Sequence, residues 1–437
     1  MSEPSNPKRK RGVLLSSQGW QRLQAAEHLA AIQQNEGRAY SLEQLSQQTQ
    51  LSANTLTKVR RRQKPVDQLT LEAYFAAFDL SLSPNDYITQ ELPAATATQP
   101  APFKGQLAID SPFYIYRPPA EQLCLEAAMQ PSALVRIKAA RQFGKTSLVA
   151  RMLSHAEDYS YRVVPLSLQL ADSRILSDLD QFLRWLCVMV ARSLGLPDEL
   201  DQRWNGLFGG SYSCSDYFET YLLPAAERPL LLVLDEVNLL FNYPELGADF
   251  FGMLRAWYEQ GRHSSDQNIW RLLRLVIVHS TEVYLPLNLH QSPFNVGLLI
   301  ELPHFSPAQV QELASRYGLR CTEAEIAQIW ELVGGHPYLT QLTLFHLAQP
   351  QPLAQIIETV TSPNSIFNSH LRQQFGRLEQ DADLMTGMQQ VIHSSGAILP
   401  PNQAFKLQGL GLVSFENQRA VPSCKLYRQY FTQVLPV

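Results

Sequence analysis

Cysteine is scarce in this chain: five of 437 residues (Cys124, Cys187, Cys214, Cys321 and Cys424), none with CxxC spacing. That excludes a zinc ribbon and a disulfide framework, and suits reduced, mostly buried thiols in a cytoplasmic protein. Long apolar runs are absent too. No stretch approaches the ~18 residues that span a bilayer, so no membrane association is expected. The basic N-terminus has no apolar core after it, which excludes a secretory signal. Charged residues make up only 17% against 45% hydrophobic, a composition that fits substantial globular cores.

The charge that is present is unevenly placed. Residues 1–64 hold eleven basic side chains and four acidic ones, a net of +7 in a chain whose total is −4. A basic module on an acidic body suits an anionic partner such as double-stranded DNA.

The chain divides by pattern. Residues 1–12, with the run Lys8–Arg11, read as a disordered basic tail, and 13–90 as an all-α helix-turn-helix module. Its helices are expected at about 18–36, 41–49, 53–62 and 68–78, with Ser41 and Ser52 as N-caps. The Ala-, Thr- and Pro-rich segment 91–107 reads as a linker. From 108 to 304 apolar strands at 133–138, 161–168, 229–234 and 272–279 alternate with helices at 118–129, 145–155, 174–193, 215–225 and 247–260. Such strands build a parallel sheet covered on both faces. Helices at 306–317, 322–333 and 336–347 form a helical lid over 305–360. Residues 361–437 end in two strand-like segments, 411–415 and 418–423, a pattern that fits a winged helix.

Between the first strand and its helix lies Ala139-Ala140-Arg141-Gln142-Phe143-Gly144-Lys145-Thr146-Ser147. It fits the phosphate-loop pattern G-x-x-x-x-G-K-[ST] except that Ala139 replaces the first Gly. A phosphate needs backbone N–H groups at a helix N-terminus, a Gly where the backbone approaches closely, a Lys for the β- and γ-phosphates and a hydroxyl for Mg²⁺. Gly144, Lys145 and Thr146 supply them. The alternative is a chance Gly-Lys-Thr, which the flanking strand and helix disfavour.

About ninety residues on, Leu230–Leu234 ends in Asp235-Glu236. Asp235 would hold Mg²⁺ at the carboxyl end of its strand, and Glu236 would orient and deprotonate an attacking water. The alternative is two solvated acids. The last strand ends in His279, Ser280, Thr281 and Glu282, where Ser280 or Thr281 would bond the γ-phosphate or its water, or simply cap the strand.

The stretches RQFGKTSL, LLLVLDEV, LVIVHSTEVY, SPFNVG and GGHPYLT resemble the AAA-like ATPase family common in cyanobacterial genomes. That family is similar to the STAND signalling ATPases and to origin-binding-type ATPases. The resemblance covers about 108–350 and implies a P-loop NTPase α/β fold, ATP with Mg²⁺ as cofactors and a Gly-x-Pro lid element near the nucleotide, here Gly335, His336 and Pro337. The same residues also read as one helix ending and another starting. Segment 114–119 resembles the element lining the adenine side. The Arg that STAND relatives often carry after the strand ending HSTE has no counterpart. Arg262, Arg271 or Arg274 could act in its place.

In the basic module, Leu42, Leu45, Leu51, Leu56 and Val59 form the expected apolar seam. Ser52, Asn54, Thr55 and Lys58 would face base edges and phosphates, with Arg60, Arg61, Arg62 and Lys64 on backbone phosphates. A protein-binding adaptor is the alternative. Three functions follow as expectations: an ATP-driven switch that could assemble into homo-oligomers, a DNA-remodelling or loading ATPase, and a scaffold that binds nucleotide without turnover.

Overall fold

The computed structural model describes residues 13–35, 40–49, 51, 53–62, 66–89, 105–262, 267–281, 296–349 and 351–436. The run Lys8–Arg11, Ser52, Lys64, Glu282 and most of the expected linker lie outside the described residues. The chain forms two compact units, Met1–Thr98 and Gln99–Val437.

In the first unit, helices run over Ser17–Gln34, Leu42–Thr49, Ala53–Arg61 and Gln68–Ala76. Ser41 caps the second with reciprocal bonds. Its amide donates to Gln44 Oε1 at 2.8 Å, and its Oγ accepts from the Gln44 amide at 3.2 Å. Leu45, Leu56 and Val59 are buried with Leu23, Leu71, Tyr74 and Phe75, and Leu51 packs half-buried against them, so these four seam residues belong to the core; the side chain of Leu42 lies outside the described set. One addition is a short antiparallel ribbon, β1 (Val13–Leu15) paired with β2 (Tyr87–Thr89). Three-residue strands leave almost no period-2 signal.

The second unit holds a five-stranded parallel sheet of β3 (Leu134–Ala139), β4 (Arg162–Ser167), β5 (Leu230–Asp235), β6 (Leu273–Ser280) and β7 (Leu298–Glu301), in the order β4-β5-β6-β3-β7. The near-continuous apolar runs are explained by cover on both faces. Leu230, Leu232 and Leu234 pack with Phe182, Phe250 and Trp257. Their neighbours Leu231 and Val233 point the other way, to Leu148 and Met152. Each buried Leu contributes roughly 1.5–3 kcal/mol.

The four expected strands form, and β7 is a fifth. The helix expected over 174–193 is instead two, Ser173–Leu176 and Leu179–Leu194. Asp178 divides them by capping the second, its Oδ1 accepting from the Gln181 amide at 2.8 Å. The helix expected at 215–225 starts earlier, at Gly210, and contains a π-turn over Phe218–Leu222.

Beyond the sheet stand helices Pro307–Arg316, Glu323–Val333 and Pro337–Ala348. Further on come helices Ala382–Ile392 and Pro401–Gly409, the hairpin β8 (Val413–Glu416) and β9 (Arg419–Pro422), and helix Lys425–Val434. Residues from both stretches share one hydrophobic core, from Phe305 and Val310 through Leu371 and Met388 to Phe431. Among the described residues no helix is long and apolar enough to cross a membrane.

Candidate functional site

The sheet order sets the site. β6 lies between β3 and β5, and Ala139 pairs in register with Ser280. The carboxyl ends of three strands therefore meet, as open α/β sheets do at their binding crevices.

Ala139 ends β3, and the following loop enters helix Lys145–Asp158. The loop's left-handed residues are Gln142 (φ 64°) and Gly144 (φ 87°). Ala139 is ordinary strand, so the first position of the pattern needs no Gly here. Gly144 does need to be Gly: besides its positive φ, a Cβ would stand 3.3 Å from Arg117 Nη2. Lys145 is buried, and its Nζ donates to the carbonyls of Ala139 and Ala140, each at 3.0 Å. It thus closes the loop into a ring around its own amine. Phe143 and Ser147 are buried, and Arg141, Gln142 and Thr146 are exposed. The Ser147 hydroxyl accepts from the Leu107 amide at 3.2 Å, which leaves its O–H free to donate.

Asp235 ends β5, with Oδ1 accepting from the Glu236 amide at 2.8 Å. Burial raises its carboxyl above the ordinary range, partly offset by that amide and by the charge of Lys145. Glu236 is left-handed without being Gly (φ 56°), a conformation that costs on the order of 1 kcal/mol and clusters at functional sites. Asn238 ties it down. Its Nδ2 donates to Glu236 Oε2 at 3.4 Å, while its Oδ1 accepts from the Ser280 amide at 3.2 Å. Sequence reasoning missed Asn238. An Asn two residues past a strand-end acid has no period or motif to mark it.

Ser280 is buried with its Oγ lacking a hydrogen-bond partner. A buried hydroxyl without a partner is costly unless a ligand or water supplies one. Thr281 differs. Its hydroxyl donates to the Gly409 carbonyl, so of the two strand-end hydroxyls only Ser280 is uncommitted.

His336 is the N-cap of helix Pro337–Ala348 and is buried, with Pro337 as the buried first residue. Its ring meets Phe143 edge-on at 4.6 Å, and His304 meets the same ring at 4.9 Å. The Gly-His-Pro element therefore reaches the loop through an aromatic contact. Sequence reasoning also missed His370, whose Nδ1 lies 2.7 Å from Gln142 Oε1 and whose Nε2 lies 2.7 Å from the Tyr427 hydroxyl. Burial holds His336 well below its ordinary pKa and His370 down to about 4. Arg274 is buried in the sheet, donating to the Arg271 carbonyl at 2.6 Å. That orientation removes it from the candidates for an external arginine.

In the first unit, Lys58 is exposed on helix Ala53–Arg61, and Thr55 is half-buried. Asn54 and Arg61 lie on this helix, with side chains outside the described set. Arg62 follows it at φ 47°. Arg60 turns inward: it donates to Tyr74 Oη at 3.2 Å, pairs with Glu27 at 3.4 Å and lies over the Trp20 ring at 5.5 Å.

A parallel sheet in this order, a Gly-Lys-Thr loop opening a helix after β3, and an Asp-Glu pair ending β5 define a P-loop NTPase fold. Residues 102–433 match the model of the AAA-like domain, and the chain belongs to that family. An uncharacterized WD repeat-containing protein of Synechocystis sp. is 25% identical over 261 residues, 57% of this chain and 21% of that protein. The chain thus spans about a fifth of that relative's length. Among solved structures it is similar to the Walker-type ATPase of Pyrococcus abyssi (12% identity, 72% of this chain and 95% of that one, TM-score 0.49). It is also similar to the Aeropyrum pernix ORC2 protein (12%, 73% and 92%, TM-score 0.39). A third likeness is to a STAND protein with a tetratricopeptide repeat sensor from Pyrococcus horikoshii (14%, 77% and 44%, TM-score 0.36).

Proposed function

We propose that this chain binds ATP with Mg²⁺ at residues 139–147 and hydrolyses it as a molecular switch. The observation that carries the reading is Lys145. A buried ammonium held by two loop carbonyls at a helix N-terminus stands where the phosphate oxygens of a bound nucleotide would meet it. Ser280 Oγ supports it as a buried hydroxyl with no partner on the adjacent strand.

The residues fit the group. Mg²⁺ takes one or two protein oxygens and completes its shell with water and phosphates, so no protein cage is required. Thr146 and Asp235 are hard oxygen donors of the right kind. Mg²⁺ would neutralise developing phosphate charge when bound. Glu236, oriented by Asn238, would accept a proton from the attacking water, and Ser280 would bond the γ-phosphate or that water. His336 and Pro337 would serve through Phe143 rather than by direct contact. Double-stranded DNA at Lys58 and its neighbours is the partner we infer for the first unit, with a protein partner or homo-oligomer assembly as the other outcomes. Three helices, Asn368–Glu379, Ala382–Ile392 and Pro401–Gly409, followed by the β8–β9 hairpin support reading 361–437 as a winged helix.

Calorimetric titration tests the binding. ATP should bind the wild type and fail to bind Lys145→Ala, and equal binding would overturn the reading. Glu236→Gln should keep binding and lose turnover. Equal, near-zero turnover in both proteins would favour the scaffold. Turnover raised by double-stranded DNA would favour the remodelling reading.

A further inference from the structure

Residues 107–117 precede the sheet and touch both the phosphate loop and the helical region. At one end, the Leu107 amide donates to Ser147 Oγ, and Arg151 Nη2 donates to the carbonyls of Ala108 and Ile109 at 3.1 and 2.9 Å. Ser147 and Arg151 belong to the helix that the loop opens. In the middle, the backbone is held by the helical region. Arg316 Nη1 donates to the carbonyls of Pro112 and Tyr114, each at 2.7 Å. Gln341 Nε2 donates to the Phe113 carbonyl at 2.9 Å, and Gln309 Nε2 to that of Tyr116 at 3.0 Å. Ile115 is buried in the core of that region, and Phe113 stacks on Tyr317 at 4.2 Å.

At the far end, Arg117 returns to the loop. Its Nη1 donates to the Phe143 carbonyl at 2.8 Å, while Nε is held by Glu121 at 3.0 Å. Glu121 in turn accepts from the Tyr114 hydroxyl at 2.6 Å. The guanidinium is 98% buried and lies over the Phe305 ring at 5.8 Å. In a trans peptide the C=O and N–H point opposite ways. Drawing the Phe143 carbonyl outward therefore turns the Gly144 N–H inward, where a phosphate would lie.

We propose that residues 107–117 are a strap that transmits occupancy of the phosphate loop to the helical region, with Arg117 as the positioning residue at its loop end. This rests on the ATP reading above. A ligand that draws Lys145 away from the Ala139 and Ala140 carbonyls resets the loop backbone. Arg117 and the Leu107 and Arg151 contacts carry that change into the strap. The four bonds from Arg316, Gln341 and Gln309 carry it on to the helices.

The test uses the full chain, ATP–Mg²⁺ as the probe, calorimetry for binding and hydrogen exchange for the response. In the wild type, ATP should slow exchange in 140–147 and in helix Glu323–Val333. The double variant Arg316→Ala with Gln309→Ala should bind ATP within about twofold of wild type, because it leaves the loop intact, and lose the response in 323–333. Arg117→Lys keeps a partner for Glu121 and should weaken ATP binding by about tenfold, the scale of one charged hydrogen bond. If the double variant keeps the wild-type response, or the wild type binds ATP with no change in 323–333, the strap proposal falls while the ATP reading stands. If the wild type binds no ATP, both fall, and calorimetry alone reveals it.

Discussion

His370 and Gln142, 228 residues apart in sequence, lie 2.7 Å from each other through Nδ1 and Oε1. With the Tyr427 hydroxyl at 2.7 Å from Nε2, the neutral ring is satisfied on both sides: Nδ1–H donates to Gln142, and Tyr427 donates to Nε2. His370→Leu leaves the Tyr427 hydroxyl and the Gln142 amide without their partner. Net costs of about 1–3 kcal/mol follow for a buried group left unpaired. The melting midpoint in urea should fall accordingly, and an unchanged midpoint would remove this bond from the interactions holding the C-terminal helices.

Acid should destabilise the second unit. Burial holds His279 and His370 down to about 4 and lowers His304 and His336 as well. The unfolded chain takes up protons at these histidines below about 6.5, whereas in the folded chain His279 and His370 do not until about 4. Stability is therefore full above 6.5 and is lost as pH falls towards 4, by roughly 3 kcal/mol each for His279 and His370 at the lower end. Asp235, raised by burial, acts in the opposite sense but is one group against four. Thermal midpoints measured from pH 7.5 to 5 should drop, and a flat or rising profile would contradict the neutral histidines.

Two glycines should tolerate Ala poorly, for different reasons. Gly335 has φ 67°, and a Cβ there would lie 2.1 Å from the Phe305 carbonyl oxygen, which is backbone and cannot yield. Gly335→Ala should cost more than about 2 kcal/mol or block folding. Gly144 has φ 87°, but its nearest neighbour is the Arg117 side chain at 3.3 Å. Gly144→Ala should fold and lose ATP binding. Denaturation and calorimetry on both variants separate the two, and the reverse ranking would mean the loop is more constrained than the Gly-His-Pro turn.

Most of the sheet was legible because β3, β5 and β6 are buried on both faces and read as near-continuous apolar runs, interrupted by Arg136 and Lys138 in β3 and by Arg274 in β6. Lys145, Asp235, Glu236 and Ser280 were legible because strand ends and a helix start fix their positions along the chain. Asn238 and His370 were not, and Arg117 was legible only as part of the segment 114–119, not as a partner of the loop. Each owes its place to a contact across the fold: Asn238 to the Ser280 amide, Arg117 to the Phe143 carbonyl, His370 to Gln142. Periodicity and spacing record local geometry only. Arg60 shows the same limit in reverse. Local charge grouped it with Arg61 and Arg62, but tertiary contacts with Glu27, Tyr74 and Trp20 hold it inward.

That inward turn separates two variants of the basic module. Lys58 is exposed, so Lys58→Ala should leave stability within about 0.5 kcal/mol. If DNA is the partner, the same variant should reduce the slope of log affinity against log salt by about one, the loss of one phosphate contact. Arg60→Ala removes a partner from Glu27 and from the buried Tyr74 hydroxyl, whose pKa is raised by burial and then by the Glu27 charge. It should unfold the module more readily and leave the salt slope of the folded fraction unchanged. Binding of a short duplex measured from 50 to 200 mM salt, beside thermal melts, gives both readouts. If Lys58→Ala leaves the slope intact, the module is an adaptor for protein. If Arg60→Ala flattens the slope without loss of stability, Arg60 faces DNA and the Glu27 pairing is incidental.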